Sequence, residues 1–138
     1  MKKRTKTVFI CIILLILLIL TLLIIHYAYA NYSTGVPAGE VVLHHDGKEF
    51  SLTSEEAEQM RKIFRFKFYD LGIGGCYYEE GTALSFGDRK FAIALDGCYT
   101  AKEWDAERYM RLSSSEFEQI ADLFKKYWED TPFYIYSP

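Results

Sequence analysis

Three groups of residues in this 138-residue chain carry side chains able to do chemistry, and each also has an ordinary structural reading. The first is the pair Cys76 and Cys98, 11 residues either side of Gly87. Gly87 is the centre of an expected hairpin turn, so antiparallel pairing brings the two thiols close together. In an oxidising compartment such a pair forms and keeps a disulfide, which stabilises by roughly 3 kcal/mol in the chain-entropy model. Strand alternation argues the other way. Cys76 shares the parity of the inward Leu84 and Phe86, while Cys98 is out of step with Phe91, Ile93 and Leu95. Bulges at Gly74-Gly75 and Gly97 would realign them. Disulfide, buried free thiols and metal or redox use all stay open at this point.

The second group is His44-His45 beside Asp46, which with the cysteines would equip a metal- or redox-responsive envelope protein. Neighbours on a strand point to opposite faces, so both rings reach one ion only if the turn begins there. No CxxC, HxxxH or HExxH spacing accompanies them, and a solvated hairpin end is the plainer reading. The third group collects at the far end of the expected hairpin: Tyr77, Tyr78, Tyr99 and Trp104 among Glu79, Glu80 and Asp96. Exposed aromatics with a polar rim suit an interface or a carbohydrate platform. A carboxylate pair there would suit acid–base work on cell-wall sugars or peptides, against the ordinary alternative of core-filling rings and solvated acids. Gly72-Ile73-Gly74-Gly75 departs from GxGxxG, since Tyr77 stands where the last glycine belongs. There is no nucleophile elbow and no cofactor motif, so the expectation is a non-enzymatic binding or interaction module without a cofactor.

What positions these groups begins with the N-terminus. Lys2, Lys3, Arg4 and Lys6 precede Val8 to Ile25, 18 residues that are apolar except for Thr21. At 1.5 Å per residue the run reaches about 27 Å, close to the hydrocarbon thickness of a bilayer. All 19 acidic residues and 12 basic ones follow it, so the remainder carries a formal charge of −7. The positive-inside bias places the N-terminus in the cytoplasm and the rest outside, as a single-pass cell-membrane protein. An acidic exported domain repels nucleic acid, which is excluded as a partner; the membrane, through residues 8–25, and a protein or carbohydrate ligand outside the cell are the expected ones. Ala28-Tyr29-Ala30 matches a signal-peptidase site, so Ala28 and Ala30 mark an alternative in which the protein is cleaved and secreted; the long apolar run favours retention. Cys11 reads as an ordinary apolar residue of the run.

Residues 1–30 thus form a basic tip and anchor, 31–39 a polar linker with a chance-level sequon at Asn31-Tyr32-Ser33, and 40–138 one folded domain. Glu40 to Leu43 and Glu49 to Leu52 flank Asp46-Gly47, a type I′ hairpin signal. Thr53 with Glu56, and Ser113 with Glu116, each form a capping box before an apolar stripe. The stripes are Ala57, Met60, Ile63 and Phe64 in the first, then Phe117, Ile120, Ala121, Phe124, Tyr127 and Trp128 in the second. Between them lie strands at Thr82 to Phe86, Lys90 to Leu95 and Tyr109 to Leu112. The tail Phe133-Tyr134-Ile135-Tyr136 either adds an edge strand or packs on the core. Leu52 to Phe64 and Leu112 to Phe124 align without gaps at a spacing of 60, with six of 13 positions identical. Duplication and convergence on the same capping chemistry both explain that. The fold class is α+β: an N-terminal transmembrane helix, then two helices packed on an antiparallel sheet in the order ββ-α-βββ-α, a layout that resembles TBP-like or inhibitor-type arrangements.

The Asp96-Gly97-Cys98 segment after a hairpin strand, with a strand and a Ser-capped helix following, is similar to small exported bacterial domains of no assigned function. The resemblance covers roughly Asp46 to Tyr127. It implies a membrane-anchored or secreted α+β module and carries no catalytic residue across.

Overall fold

The computed structural model describes residues 2–33, 36–70, 75–129 and 132–133, and the chain divides into two compact units, Met1–Tyr32 and Ser33–Pro138. The first unit is helix α1, Lys2–Asn31, which runs through Ala28 and Ala30. Lys6–Ala28 is long and apolar enough to cross a membrane, and none of its most apolar 18-residue window is buried by protein. A membrane anchor and a signal sequence both meet that description.

The second unit is α+β. A six-stranded antiparallel sheet is built from β1 (Val41–His45), β2 (Lys48–Ser51), β3 (Ala83–Phe86), β4 (Arg89–Ile93), β5 (Thr100–Glu103) and β6 (Arg108–Arg111). Its strand order is β2-β1-β3-β4-β5-β6. The β1–β2 turn has Asp46 at φ 51° and Gly47 at φ 69°, the two positive values that a type I′ turn requires. Helices α2 (Ser54–Phe64) and α3 (Ser114–Trp128) both open on complete capping boxes, at Thr53/Glu56 and Ser113/Glu116. These satisfy orphan N–H groups at each N-terminus.

Alternation fixes what each sheet face carries. Val41, Leu43, Leu84, Phe86, Phe91, Ile93, Ala101 and Met110 turn to the helices, and all have no exposed surface. They pack with Ala57, Met60, Ile63 and Phe64 of α2 and with Phe117, Ile120, Ala121 and Phe124 of α3. Phe64 sits centrally, its ring 5.3 Å from that of Phe86 and 4.9 Å from that of Phe91. Of the C-terminal tail, Phe133 packs on Phe117 and Phe124, while Tyr134 to Tyr136 lie outside the described residues. After α2 the chain runs beside β6, through an antiparallel bridge between Tyr69 and Met110 and the Asp70–Arg111 ion pair at 2.6 Å. That cover blunts an otherwise open sheet edge.

The element order departs from expectation at β5. The expected order places no strand between Lys90–Leu95 and Tyr109–Leu112, yet Thr100–Glu103 is a paired strand between β4 and β6. Its sequence, Thr-Ala-Lys-Glu, lacks the β-branched and aromatic residues that mark a strand. What places it there is the pairing on both sides.

Candidate functional site

Cys76 and Cys98 form a disulfide pair with Cα atoms 6.1 Å apart. The parity objection does not apply, because β4 ends at Ile93 and Cys98 lies beyond it, after a bend in which Gly97 has φ 80°. The bridge fastens segment 75–81 to the end of the sheet. Beside it, Leu95 N–H donates to the Tyr77 carbonyl (2.9 Å) and Tyr77 N–H donates to Asp96 Oδ2 (2.9 Å). Gly72-Ile73-Gly74 lies outside the described residues.

The four aromatics expected around this end divide into two kinds. Tyr77 is 57% exposed and Tyr99 37%, and each directly follows one of the paired cysteines. Tyr77 donates its hydroxyl to Glu79 (2.8 Å), which raises its pKa. Tyr99 rests one ring face near Phe117, with centroids 5.0 Å apart. Tyr78, by contrast, is half-buried on the sheet's outer face, with its ring near Tyr109 and its hydroxyl 2.7 Å from Thr100 Oγ1. Trp104 sits past the far end of β5, its ring 4.5 Å from the Lys102 ammonium and its backbone N–H donating to the Lys90 carbonyl. Tyr99 and Trp104 are five residues apart along an extended segment, about 16 Å. The structure therefore brings Tyr77 and Tyr99 to the disulfide and leaves Trp104 apart. Glu79, Glu80 and Asp96 do not gather as a carboxylate pair either: they bond to Tyr77 Oη, Lys90 Nζ and Tyr77 N–H respectively.

His44 and His45 leave β1 on opposite faces. His45 faces the helices, edge-on to Phe124 and Trp128, with Nδ1 2.9 Å from Thr82 Oγ1. On the outer face His44 Nε2 lies 2.8 Å from Ser85 Oγ, and His44 Nδ1 lies 3.1 Å from Glu49 Oε1. This Ser–His–Glu order is that of an acyl-transfer relay. Glu49 is 70% exposed and Ser85 is mid-strand, so neither the sheltered carboxylate nor a turn-borne nucleophile is present, and the relay orders the wall of a shallow concavity. That concavity, of about 270 Å³, is lined by His44, Gly47, Lys48, Glu49, Glu80, Gly81 and Lys90.

A further polar cluster escaped the sequence reading. Glu103 is 5% exposed and lies on the helix-facing side of β5. It accepts from Tyr69 Oη (2.6 Å) and Arg89 Nε (2.7 Å), and Arg108 stands 3.5 Å away. Burial pushes the Glu103 carboxyl up, but Arg89, Tyr69 and Arg108 outweigh it and hold it below its usual value. Burial and the neighbouring carboxylate push Tyr69 up to about 12. Both Glu103 oxygens and the Tyr69 hydroxyl are matched, while Arg108 Nε is buried without a partner among the described residues; the cluster reads as a buried brace between β4, β5, β6 and the chain after α2.

No protein-family model, curated protein or solved structure matches this chain.

Proposed function

We propose that the chain is a binding module displayed outside the cell membrane, held by the apolar helix Lys6–Ala28 with its basic tip in the cytoplasm. Tyr77 and Tyr99 are its contact residues, and the ligand is a protein or a carbohydrate outside the cell. The observation that carries this reading is the pairing of two exposed tyrosines with one disulfide. Exposed rings held in place lose little entropy on binding and bring large contact area. The disulfide supports an oxidising compartment. The −7 charge after the apolar run argues against nucleic acid and anionic surfaces. Cleavage behind Ala30 would yield the same module in secreted form.

The test places a photo-reactive phenylalanine at position 77 or 99 of the full chain in living cells. A discrete adduct is expected on irradiation, either to a protein or to material released by wall-glycan hydrolases. The same residue at Ser51, on the opposite edge strand, is expected to give none. Adducts from Ser51 alone, or from none of the three positions, would remove the assignment.

A second reading, a metal- or redox-responsive envelope protein, has one observation in its favour. It concerns Cys76 and Cys98 with Asp96, and not the histidines.

A further inference from the structure

Asp96 Oδ2 accepts from Tyr77 N–H, but Asp96 Oδ1 is buried and has no hydrogen-bond partner among the described residues. A buried polar atom left unpaired costs roughly 1–3 kcal/mol, more where the group is charged. Such an atom holds an acceptor in reserve, filled by an ordered water or, where the neighbouring groups allow, by a cation. Two candidate co-ligands adjoin the Asp96 carboxylate. Cys76 Sγ, Cys98 Sγ and an Asp96 carboxylate oxygen all lie within 4.8 Å of one another. As a disulfide the sulfurs are neutral and offer little to a cation. As thiolates they would place three negative charges around one point.

We propose that Cys76, Cys98 and Asp96 form a redox-gated zinc site, closed while the disulfide holds and opened by a dithiol reductant. Opening is a two-electron exchange. The external dithiol gives up two electrons and two protons and becomes a disulfide, the Cys76–Cys98 bond breaks, and both cysteines become thiols. Zn²⁺ then displaces the two thiol protons and binds two sulfurs and one carboxylate oxygen, with a fourth position left for water. Zinc–sulfur bonds of about 2.3 Å in a tetrahedron place the sulfurs about 3.8 Å apart. Gly75 and Gly97, at φ 94° and 80°, directly precede the two cysteines and sit where small backbone rotations would open that distance. Two thiolates select zinc over calcium or magnesium, whose ligands are oxygens. His44 and His45 take no part, since their rings are committed to Ser85, Glu49 and Thr82. The proposal stands independently of tyrosine-mediated binding.

The experiment uses the full chain in detergent micelles with Cys11→Ala, so that Cys76 and Cys98 are its only thiols. After treatment with a dithiol and its removal under nitrogen, Co²⁺ is titrated in. A thiolate-to-cobalt charge-transfer band saturating at one equivalent is expected, bleached by one equivalent of Zn²⁺. Zinc should also protect both thiols from alkylation in the intact mass, and the oxidised protein should show neither effect. Asp96→Asn, which keeps shape and removes charge, is expected to weaken zinc binding at least about tenfold. Absence of the band in the reduced protein overturns the proposal, as does an Asp96→Asn variant that binds zinc as tightly. Should that variant fail to fold, zinc protection of the parent's thiols decides alone: unprotected thiols overturn the site.

Discussion

Glu56 and Glu116 each perform two tasks with one carboxylate. Each closes the capping box of its own helix, and each takes a lysine from beside the end of the other: Lys126 for Glu56, Lys67 at 2.5 Å for Glu116. Burial pushes the Glu56 carboxyl up, yet Lys126, the Thr53 N–H and hydroxyl, and Tyr127 together bring it down from 4.5 to about 2. A carboxylate with a lowered folded-state pKa contributes stability above its unfolded value and loses it as pH falls through the folded one. Glu56→Gln, which can keep the capping box but loses the charge facing Lys126 and the helix N-terminus, is therefore expected to destabilise by about 1 kcal/mol at neutral pH. The gap to the parent should close between pH 4.5 and about 2, followed by urea unfolding across that range. A gap that stays constant with pH would show that the charge contributes nothing. The capping boxes were legible beforehand because their partners are three residues apart. The Glu103 brace was not, since its partners Tyr69 and Arg89 lie 34 and 14 residues away and nothing local announces them.

At the level of elements, what the sequence could show was periodicity. The two helical stripes place Ala57, Met60, Ile63 and Phe64, and Phe117, Ile120, Ala121 and Phe124, on buried faces as expected. The inward residues of β3 and β4 also alternate as read. Where local signal was poor, the reading stopped: β5 is recruited by neighbours on both sides, and its position carries Trp104 away from the disulfide. Phe64 and Phe124 occupy equivalent places on α2 and α3, and both are fully buried. Phe64→Ala and Phe124→Ala are each expected to destabilise by about 3–5 kcal/mol, because tightly packed surroundings collapse only partly around the cavity. Glu118→Ala, on the exposed side of α3, should stay within about 0.5 kcal/mol. Denaturant midpoints at unchanged slope would report all three. A Phe64 change as mild as the Glu118 one would contradict its central place against Phe86 and Phe91.

At the scale of the domain, the spacing of 60 acquires a geometric meaning. β2 occupies 48–51 and β6 occupies 108–111; α2 begins at 54 and α3 at 114. In the sheet order β2-β1-β3-β4-β5-β6, a two-fold axis between β3 and β4 exchanges β1 with β5 and β2 with β6. One further observation obeys that operation and a second comes within one residue of it. Gln59 donates to Gln119, its counterpart 60 residues on, at 2.9 Å, as equivalent residues near such an axis should meet. The Glu56–Lys126 pair has a counterpart in Glu116–Lys67 that lies one residue out of step, since a shift of 60 carries Lys126 onto Phe66. Convergence on capping chemistry accounts for similar N-caps but not for these contacts, so the geometry favours duplication of a ββα unit around a central hairpin. Such a unit cannot bury its apolar face alone: Leu43 and Val41 need Leu84 and Phe86 beside them, and Phe64 needs Phe86 and Phe91 beneath it. The fragment Val36–Phe68 holds one complete unit and is expected to remain unfolded by far-UV circular dichroism, while a fragment extended through Ile93 gains the central hairpin and measurable structure. A Val36–Phe68 fragment that folded by itself would show that the half is autonomous and that the central hairpin only joins two finished pieces.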